Sequence, residues 1–481
     1  MKTCSVVSGI LLVVVVCAGR SWGMLSGSAP RAMGMAQAYT AMARGPQSVF
    51  WNPANLGLED NHPFSWQVLA VGGAFAVDNN SWSVRTYNRH FTDSNDRVSP
   101  RGTSHYISDK DKRRLLADVP KSGLKLDLSM EPMLALGVPI NGGIAFRWPW
   151  DLQSALTLGL TSGMQGTVPK DIVELSLFGN DFAWDRRDSG LQEGYDITAW
   201  DGSAWVVGSI NWAAARSWMP RRLDPYLSEF TVGATLKILG GMYASVVESG
   251  GAGLASRVDG VEIDAYLITQ RARGRGIGLD FGAAGVTEDG RTTISVSMLN
   301  LLDRIKWGRG ARQDSFFVIA EGLLLYNLVD PAVTRLADVF DNDDVDGDGN
   351  IDFHVQIGSK SFTRDLPPIF RLGVAHEHTP RLSLVGAYDQ AFASRFGLTT
   401  TPRLATGVEY RLVPWFAVRG GLSAGGRWRR SSAVGMAFGP FPMGSMEINV
   451  MDMALVNRGG FFPGLARGTA FSVRFVEAIL L

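Results

Sequence analysis

Val408-Glu409-Tyr410-Arg411-Leu412-Val413-Pro414-Trp415-Phe416-Ala417-Val418-Arg419-Gly420-Gly421-Leu422 reads as two strands folded back on one another. Successive side chains of a strand point to opposite faces, so Val408, Tyr410 and Leu412 share one face before the turn, and Phe416, Val418 and Leu422 share it after. Glu409, Arg411 and Arg419 fall on the other face, and Pro414 sits in the turn, where no ladder hydrogen bond is lost. One face is greasy and the other charged, at strand period and not helix period.

The same alternation extends outward from this hairpin, starting at about Phe64. Phe230, Val232, Ala234, Leu236 and Ile238 share a face, opposed by Thr231, Gly233, Thr235 and Lys237. Ile277, Leu279, Phe281 and Ala283 repeat the pattern, as do Phe370, Leu372 and Val374, and then Leu382, Leu384, Gly386 and Tyr388. Asn141-Gly142-Gly143 and Glu288-Asp289-Gly290 supply glycines for tight hairpin turns, so antiparallel up-and-down order is expected. A secreted β-sandwich alternates in the same way as a membrane barrel. Segment lengths near the ~10 residues of a tilted membrane strand favour the barrel, as do aromatics at segment ends (Trp148, Trp150, Trp415) and charges on small-residue faces.

Composition and ends agree with that choice. Lys2, the apolar run Val6 to Val16 and the small residues Ser21 and Gly23 read as a secretory signal over residues 1–23. A lipoprotein start at Cys17 would want a small residue where Val16 stands. Both cysteines, Cys4 and Cys17, fall within that segment, so disulfides are not expected to staple the mature chain. After Val16 no run approaches the ~20 apolar residues of a transmembrane helix. The chain balances 46 basic against 46 acidic residues, which gives no footprint for nucleic acid. Its 56 glycines, 14 tryptophans and 24 phenylalanines, with 19% charged residues, suit strands, tight turns and aromatic girdles. The expected location is the bacterial outer membrane, with its lipid as the surrounding partner.

The N-terminal part breaks the pattern. Arg31 to Ala43 is rich in alanine, methionine and glycine and reads as a short helix, with Ala32, Met35, Ala36, Tyr39 and Ala43 on one face. An aromatic turn follows at Val49-Phe50-Trp51-Asn52-Pro53-Ala54-Asn55-Leu56. A second helix is expected over Asp109 to Val119, capped by the Ser108 hydroxyl and ended by Pro120.

The stretch Ala29 to Ala43, followed by Ser48-Val49-Phe50-Trp51-Asn52-Pro53-Ala54-Asn55-Leu56, resembles the opening of FadL-like and PorV-like outer-membrane proteins. Gly276-Ile277-Gly278-Leu279-Asp280-Phe281-Gly282 and Leu366-Pro367-Pro368-Ile369-Phe370-Arg371-Leu372-Gly373 look like strand starts in the same broad group. The resemblance implies an all-β fold: a transmembrane antiparallel up-and-down β-barrel of about 14 strands over residues 61–481, with a short N-terminal helical plug. The plug would take residues 24–60, with Arg31, Trp51, Asn52 and Pro53 in it. In one branch the barrel passes hydrophobic small molecules, long-chain fatty-acid-like, sideways into the bilayer. In the other it is a non-transporting scaffold or shuttle for secreted surface proteins. The shared motif does not separate the two, and a monomer is expected in either case. The chain ends Phe475-Val476-Glu477-Ala478-Ile479-Leu480-Leu481 without the terminal aromatic common in such barrels.

Asp344-Val345-Asp346-Gly347-Asp348-Gly349-Asn350-Ile351-Asp352 has the spacing of an EF-hand-type calcium loop, with Asp344, Asp346, Asp348, Asn350 (through its carbonyl) and Asp352 as oxygen ligands. Val355 stands where a bidentate glutamate would close the site, so an affinity of only ~10⁻⁴ M is expected. Ca2+ here would be structural, within a long insertion over residues 329–360. The rival reading is a solvated acidic loop. His376 and His378 have no third ligand at metal spacing and read as a surface turn, while Gly274, Gly276 and Gly278 lack the following helix of a phosphate site and read as small strand residues. No nucleophile-elbow or zinc-protease motif is present, and the chain is not expected to be an enzyme.

Overall fold

The computed structural model describes residues 29–90, 107–133, 135–137, 139–178, 194–196, 201–257, 260–323 and 354–481. The expected signal (1–23), the first residues of the expected plug (24–28) and the calcium-type loop (344–352) lie outside the described residues.

Fourteen staves follow one another in chain order. They are β1 (Phe64–Asn79), β2 in three pieces (Leu124–Pro132, Ala135–Leu136 and Gly142–Arg147), β3 (Leu152–Val168), β4 (Asp201–Ser217, preceded by Gly194–Asp196), β5 (Leu227–Arg257) and β6 (Gly260–Thr287). Next come β7 in two pieces (Thr292–Leu299 and Arg304–Leu323), β8 in three (His354–Gly358, Phe362–Thr363 and Ile369–Thr379), β9 (Leu382–Ala391), β10 (Arg403–Val413) and β11 (Phe416–Gly425). The last are β12 (Arg430–Phe438, continued by Phe441–Met443), β13 (Met446–Asn449 and Met451–Arg458) and β14 (Gly468–Leu480). Each pairs antiparallel with the next, and β14 pairs back onto β1 from Trp66↔Leu480 to Asp78↔Gly468. The sheet is a closed antiparallel barrel with no free lateral edge, which satisfies the backbone without water. The absent terminal aromatic does not prevent β14 from sealing the ring.

The start of β1, the end of β14 and the short turns, such as Thr379 to Leu382 and Val413 to Phe416, gather at one end. The strand ends that flank the longer connections, Asn79 and Leu124 and Leu323 and His354 among them, lie at the other. The helix α1 (Asp109–Asp118) lies in one of these, and the Ser108 hydroxyl accepts from Asp111 N–H at its start, as expected from sequence.

Alternation sorts the faces as read from the sequence. Leu236 and Ile238 are exposed outward, while Thr231, Thr235 and Lys237 are buried inward. Tyr410, Val418 and Leu422 face out, and Glu409 and Arg419 face in. An aromatic girdle rings the short-turn end: Trp148 stacks on Trp150, Trp218 meets Phe230 edge-on, and Trp415 stacks on Phe441.

Four expectations are corrected. The N-terminal helix covers only Pro30–Gly34, because Ala36 and Gln37 take positive φ and turn the chain out of it. Asn141-Gly142-Gly143 is not a hairpin: β2 keeps its direction there, and Asn141 restarts the strand after a break. β5 and β6 run 31 and 28 residues, far beyond one membrane thickness, so the expected segment length fails there. The end of the expected 329–360 insertion is strand, with His354–Gly358 paired to β7.

Candidate functional site

Residues 30–61 fill the interior at the short-turn end. The lumen wall there is built of small residues, so backbone meets backbone. Met35, Tyr39 and Trp51 pack against Ala375, Val385, Ala387 and Ala405, whereas Met33 and Ala36 meet Ala74, Ala433, Ala454 and Ala470 on the far side. A Cβ on Gly421 would lie 2.4 Å from the carbonyl carbon of Met35, and one on Gly233 would lie 2.6 Å from that of Pro53. Only glycine permits those approaches.

Polar contacts fix the segment. The hydroxyls of Thr231, Ser295 and Ser297 donate to Ala54 O (2.8 Å), Asn55 Oδ1 (2.7 Å) and Trp51 O (2.8 Å). Asn52 is fully buried; its amide donates to Ala283 O at 3.0 Å, and its oxygen accepts from Ala54 N–H at 3.0 Å, capping the 3-10 turn Pro53–Gly57. Arg31 forks onto Glu409 (Nε–Oε2 2.9 Å, Nη2–Oε1 2.8 Å), Glu409 also accepts from Arg419 at 2.7 Å, and Arg419 reaches Asp452 at 2.5 Å. Glu409 and Arg419, which the sequence placed on the wet face, thus form a chain with Asp452 across β10, β11 and β13, with Arg31 of the segment at its head. The guanidinium of Arg371 lies 4.6 Å from the ring centre of Trp51.

Above the segment are two recesses that meet at Ile369. The first mixes apolar walls (Leu128, Met164, Trp205, Phe396, Leu398) with Arg371, Arg403, Arg427 and Arg458 against Asp78, Asp127 and Asp389. Arg403 holds Asp389 through Nε at 3.0 Å and also donates to Gln37 Oε1 at 2.9 Å, so one arginine ties wall to segment. The second recess holds about 840 Å³ of space, open solvent included. Phe50, Trp51, Leu160, Val207, Leu239 and Leu299 line it, with Lys237 on one side. Lys237 Nζ is saturated by Asp280 (2.7 Å), Asp303 (2.9 Å) and Asn300 (2.6 Å), at the point where β7 breaks.

The second recess also reaches Asn141, Gly159 and Thr161, beside a gap in the β2–β3 ladder. β2 pairs with β3 at Leu124–Leu128 and again at Gly142–Arg147. The ladder between β2 and β3 breaks off between these two stretches, while residues 159–163 stay paired with β4. Asn141, at φ 57°, spans the lower edge: its Oδ1 accepts from Leu160 N–H at 3.0 Å. The Ser162 hydroxyl donates to Met130 O across the upper edge at 3.2 Å.

Sequence reasoning placed Arg31, Trp51, Asn52 and Pro53 together, and the structure brings all four against the wall. It missed Asn141 as a bridge, and it missed Asp389 and Arg403; the lumen parity of those two in β9 and β10 was the available signal. His376 is within the strand and its Nδ1 is 3.0 Å from Thr292 Oγ1. Gly274 and Gly276 face inward, with Gly274 under the Trp307 ring. No cluster of three metal-ligating side chains occurs among the described residues, and none of the expected calcium ligands is among those residues.

No protein-family model matches the chain, and no curated protein matches it. Among solved structures it is similar to the toluene transporter TbuX of Ralstonia pickettii, at 15% identity over 95% of this chain and 98% of that one, with a TM-score of 0.47. A FadL homologue of Pseudomonas aeruginosa aligns at 13% identity over 96% of each chain, TM-score 0.45. The toluene transporter TodX of Pseudomonas putida aligns at 11% identity over 95% and 98%, TM-score 0.44.

Proposed function

We propose that this chain is an outer-membrane barrel that conducts hydrophobic small molecules passively, with residues 24–60 as its plug and the β2–β3 break as a sideways exit into lipid. The observation that carries the reading is the β2–β3 ladder, which stops at Leu128↔Met164 and resumes at Gly142↔Leu158, beside a recess lined by Phe50, Trp51 and Leu160. An apolar solute crossing there moves from a greasy recess to lipid without entering water. The outward apolar side chains from Phe230 to Ile238 and from Ile277 to Phe281 support a lipid-facing wall.

The finer reading is a long-chain fatty-acid-like substrate. The first recess supports it, because Arg371, Arg403, Arg427 and Arg458 stand beside an apolar surface, the pairing a carboxylate with an alkyl tail would use. Ca2+ at Asp344, Asp346, Asp348, Asn350 and Asp352 is proposed as a structural ion on the loop spacing alone. Calorimetry at millimolar metal should detect heat that disappears in Asp346→Ala; no heat in the parent chain removes the ion.

The test of transport is a disulfide across the break, Asn141→Cys with Leu160→Cys. Oxidised cells should lose uptake of a labelled long-chain fatty acid down to the level of a deletion strain, and reductant should restore it. Equal uptake in the oxidised and reduced forms would rule out the sideways exit.

A further inference from the structure

The stretch Arg271-Ala272-Arg273-Gly274-Arg275-Gly276-Ile277-Gly278 alternates a basic or apolar residue with a small one along β6. Gly274 faces inward, against Ile305 and Trp307, so the arginines share the outward face of Ile277, which is 65% exposed. The neighbouring β7 puts cations on that same face: Lys306 is directly opposite Arg275, and Arg309 is opposite Arg273. All four side chains are exposed, and Arg304 and Arg312, which flank them on β7, are exposed as well.

Like charges placed directly across a ladder repel, and a sheet normally answers them with acids. Here none of these six cations has an ion-pair partner among the described residues. The nearby acids are committed elsewhere: Asp314 to Arg271 at 2.8 Å and to His354 at 3.1 Å, Glu248 to Lys360 at 2.7 Å, and Asp303 inward to Lys237. Among the described residues the patch therefore has no counter-anion.

Its height decides which anion. A strand tilted by about 40° climbs roughly 2.5 Å per residue along the barrel axis. Counted from the short turn at Thr287, Ile277 is about 25 Å up, Arg275 about 30 Å and Arg273 about 35 Å, against an apolar band about 25 Å tall. The cations thus begin where the outward apolar residues Phe281, Leu279 and Ile277 end, on the side of the long loops. That is the headgroup level of the leaflet facing away from the short turns.

We infer that Arg273, Arg275, Lys306 and Arg309 form a docking surface for a phosphorylated lipid headgroup, specifically an acylated saccharide phosphate of the outer leaflet. Arginine forks match phosphate oxygens, and several cations at one height match a headgroup that carries more than one phosphate. The acyl chains would lie down the wall over Ile277 and Leu302, which is 62% exposed. This inference rests on the membrane reading above.

The detergent-extracted full chain can be examined by native mass spectrometry with added lipid A that carries both phosphates, with the same lipid enzymatically dephosphorylated, and with inorganic pyrophosphate. The parent should retain the phosphorylated lipid about tenfold more than the dephosphorylated one. The combined variant Arg273→Gln, Arg275→Gln, Lys306→Gln, Arg309→Gln should lose that preference while keeping its heat-modifiable gel mobility. Raising salt from about 0.1 M to about 0.5 M should release the lipid from the parent, which needs no variant. Equal retention of the two lipids by the parent, insensitivity to salt, or pyrophosphate held as tightly as the lipid would overturn the assignment. A failed membrane reading looks different: the parent would then be recovered without detergent and show no gel shift.

Discussion

Replacing Glu409 by Gln should free the N-terminal segment from the wall without opening the barrel. The carboxylate accepts two bonds from Arg31 and one from Arg419, and it is nearly inaccessible to water. Breaking a fully buried ion pair from one side costs about 3–5 kcal/mol. Two features reduce that figure here. Arg31 is 30% exposed, so water takes up part of its charge, and Arg419 keeps Asp452 at 2.5 Å. The remainder, about 2 kcal/mol, corresponds to a roughly 30-fold rise in the undocked population. Ala38→Cys, at a position 1% exposed, reports it through maleimide labelling of the folded protein in detergent. Its labelling rate should rise about 30-fold in the Glu409→Gln background, and adding Arg31→Gln should change it little further, because the partners act as one unit. A rise under about threefold, or additive effects of the two substitutions, would refute the reasoning.

Gly233→Val should displace the Pro53 turn, since even a Cβ would meet backbone at 2.6 Å, whereas Gly386→Ala, with nothing within 4 Å, should be silent; thiol accessibility at position 54 distinguishes them, and equal effects would contradict the packing. Asn52→Ala removes a buried cap and should lower the unfolding free energy by about 1–2 kcal/mol in a denaturant titration, with no change contradicting the cap. In the β6–β7 turn, the Thr287 hydroxyl and the Arg291 N–H hold the Asp289 carboxyl below its ordinary value of 3.8. The folded value is the depressed one, so the turn is fully supported above the ordinary value and loses that support as the pH falls through the folded value. Arg291 amide protection, corrected for intrinsic exchange, should therefore be flat down to about pH 4 and then fall; flat protection down to pH 2 would contradict it.

Strand existence was legible because alternation is local: Val408 to Leu422 states its own two faces, and the pairing registers respect them. Closure was not local. It depends on β14 meeting β1 across almost the whole chain, and Leu480 carries no mark of it. That the N-terminal segment departs from the strand pattern was legible from its small residues and Asn-Pro turn, but the helix end was not, because the positive φ at Ala36 and Gln37 goes with contacts to Gly421 and Arg403 of the wall and not with propensity. Asn141 was misread for a related reason. An Asn-Gly pair fits a hairpin as well as it fits a residue with positive φ that restarts a broken strand, and only the partner at Leu160 separates the two. The charge chain was half legible: parity placed Glu409 and Arg419 in the lumen, but no spacing rule links them to Arg31 or Asp452.

Gel mobility of the outer-membrane fraction, with and without boiling, tests the barrel itself. A sheet sealed from β1 to β14, with its greasy side in lipid, stays folded in cold detergent and runs ahead of its boiled form. A chain recovered without detergent that runs as one band under both conditions would contradict the account.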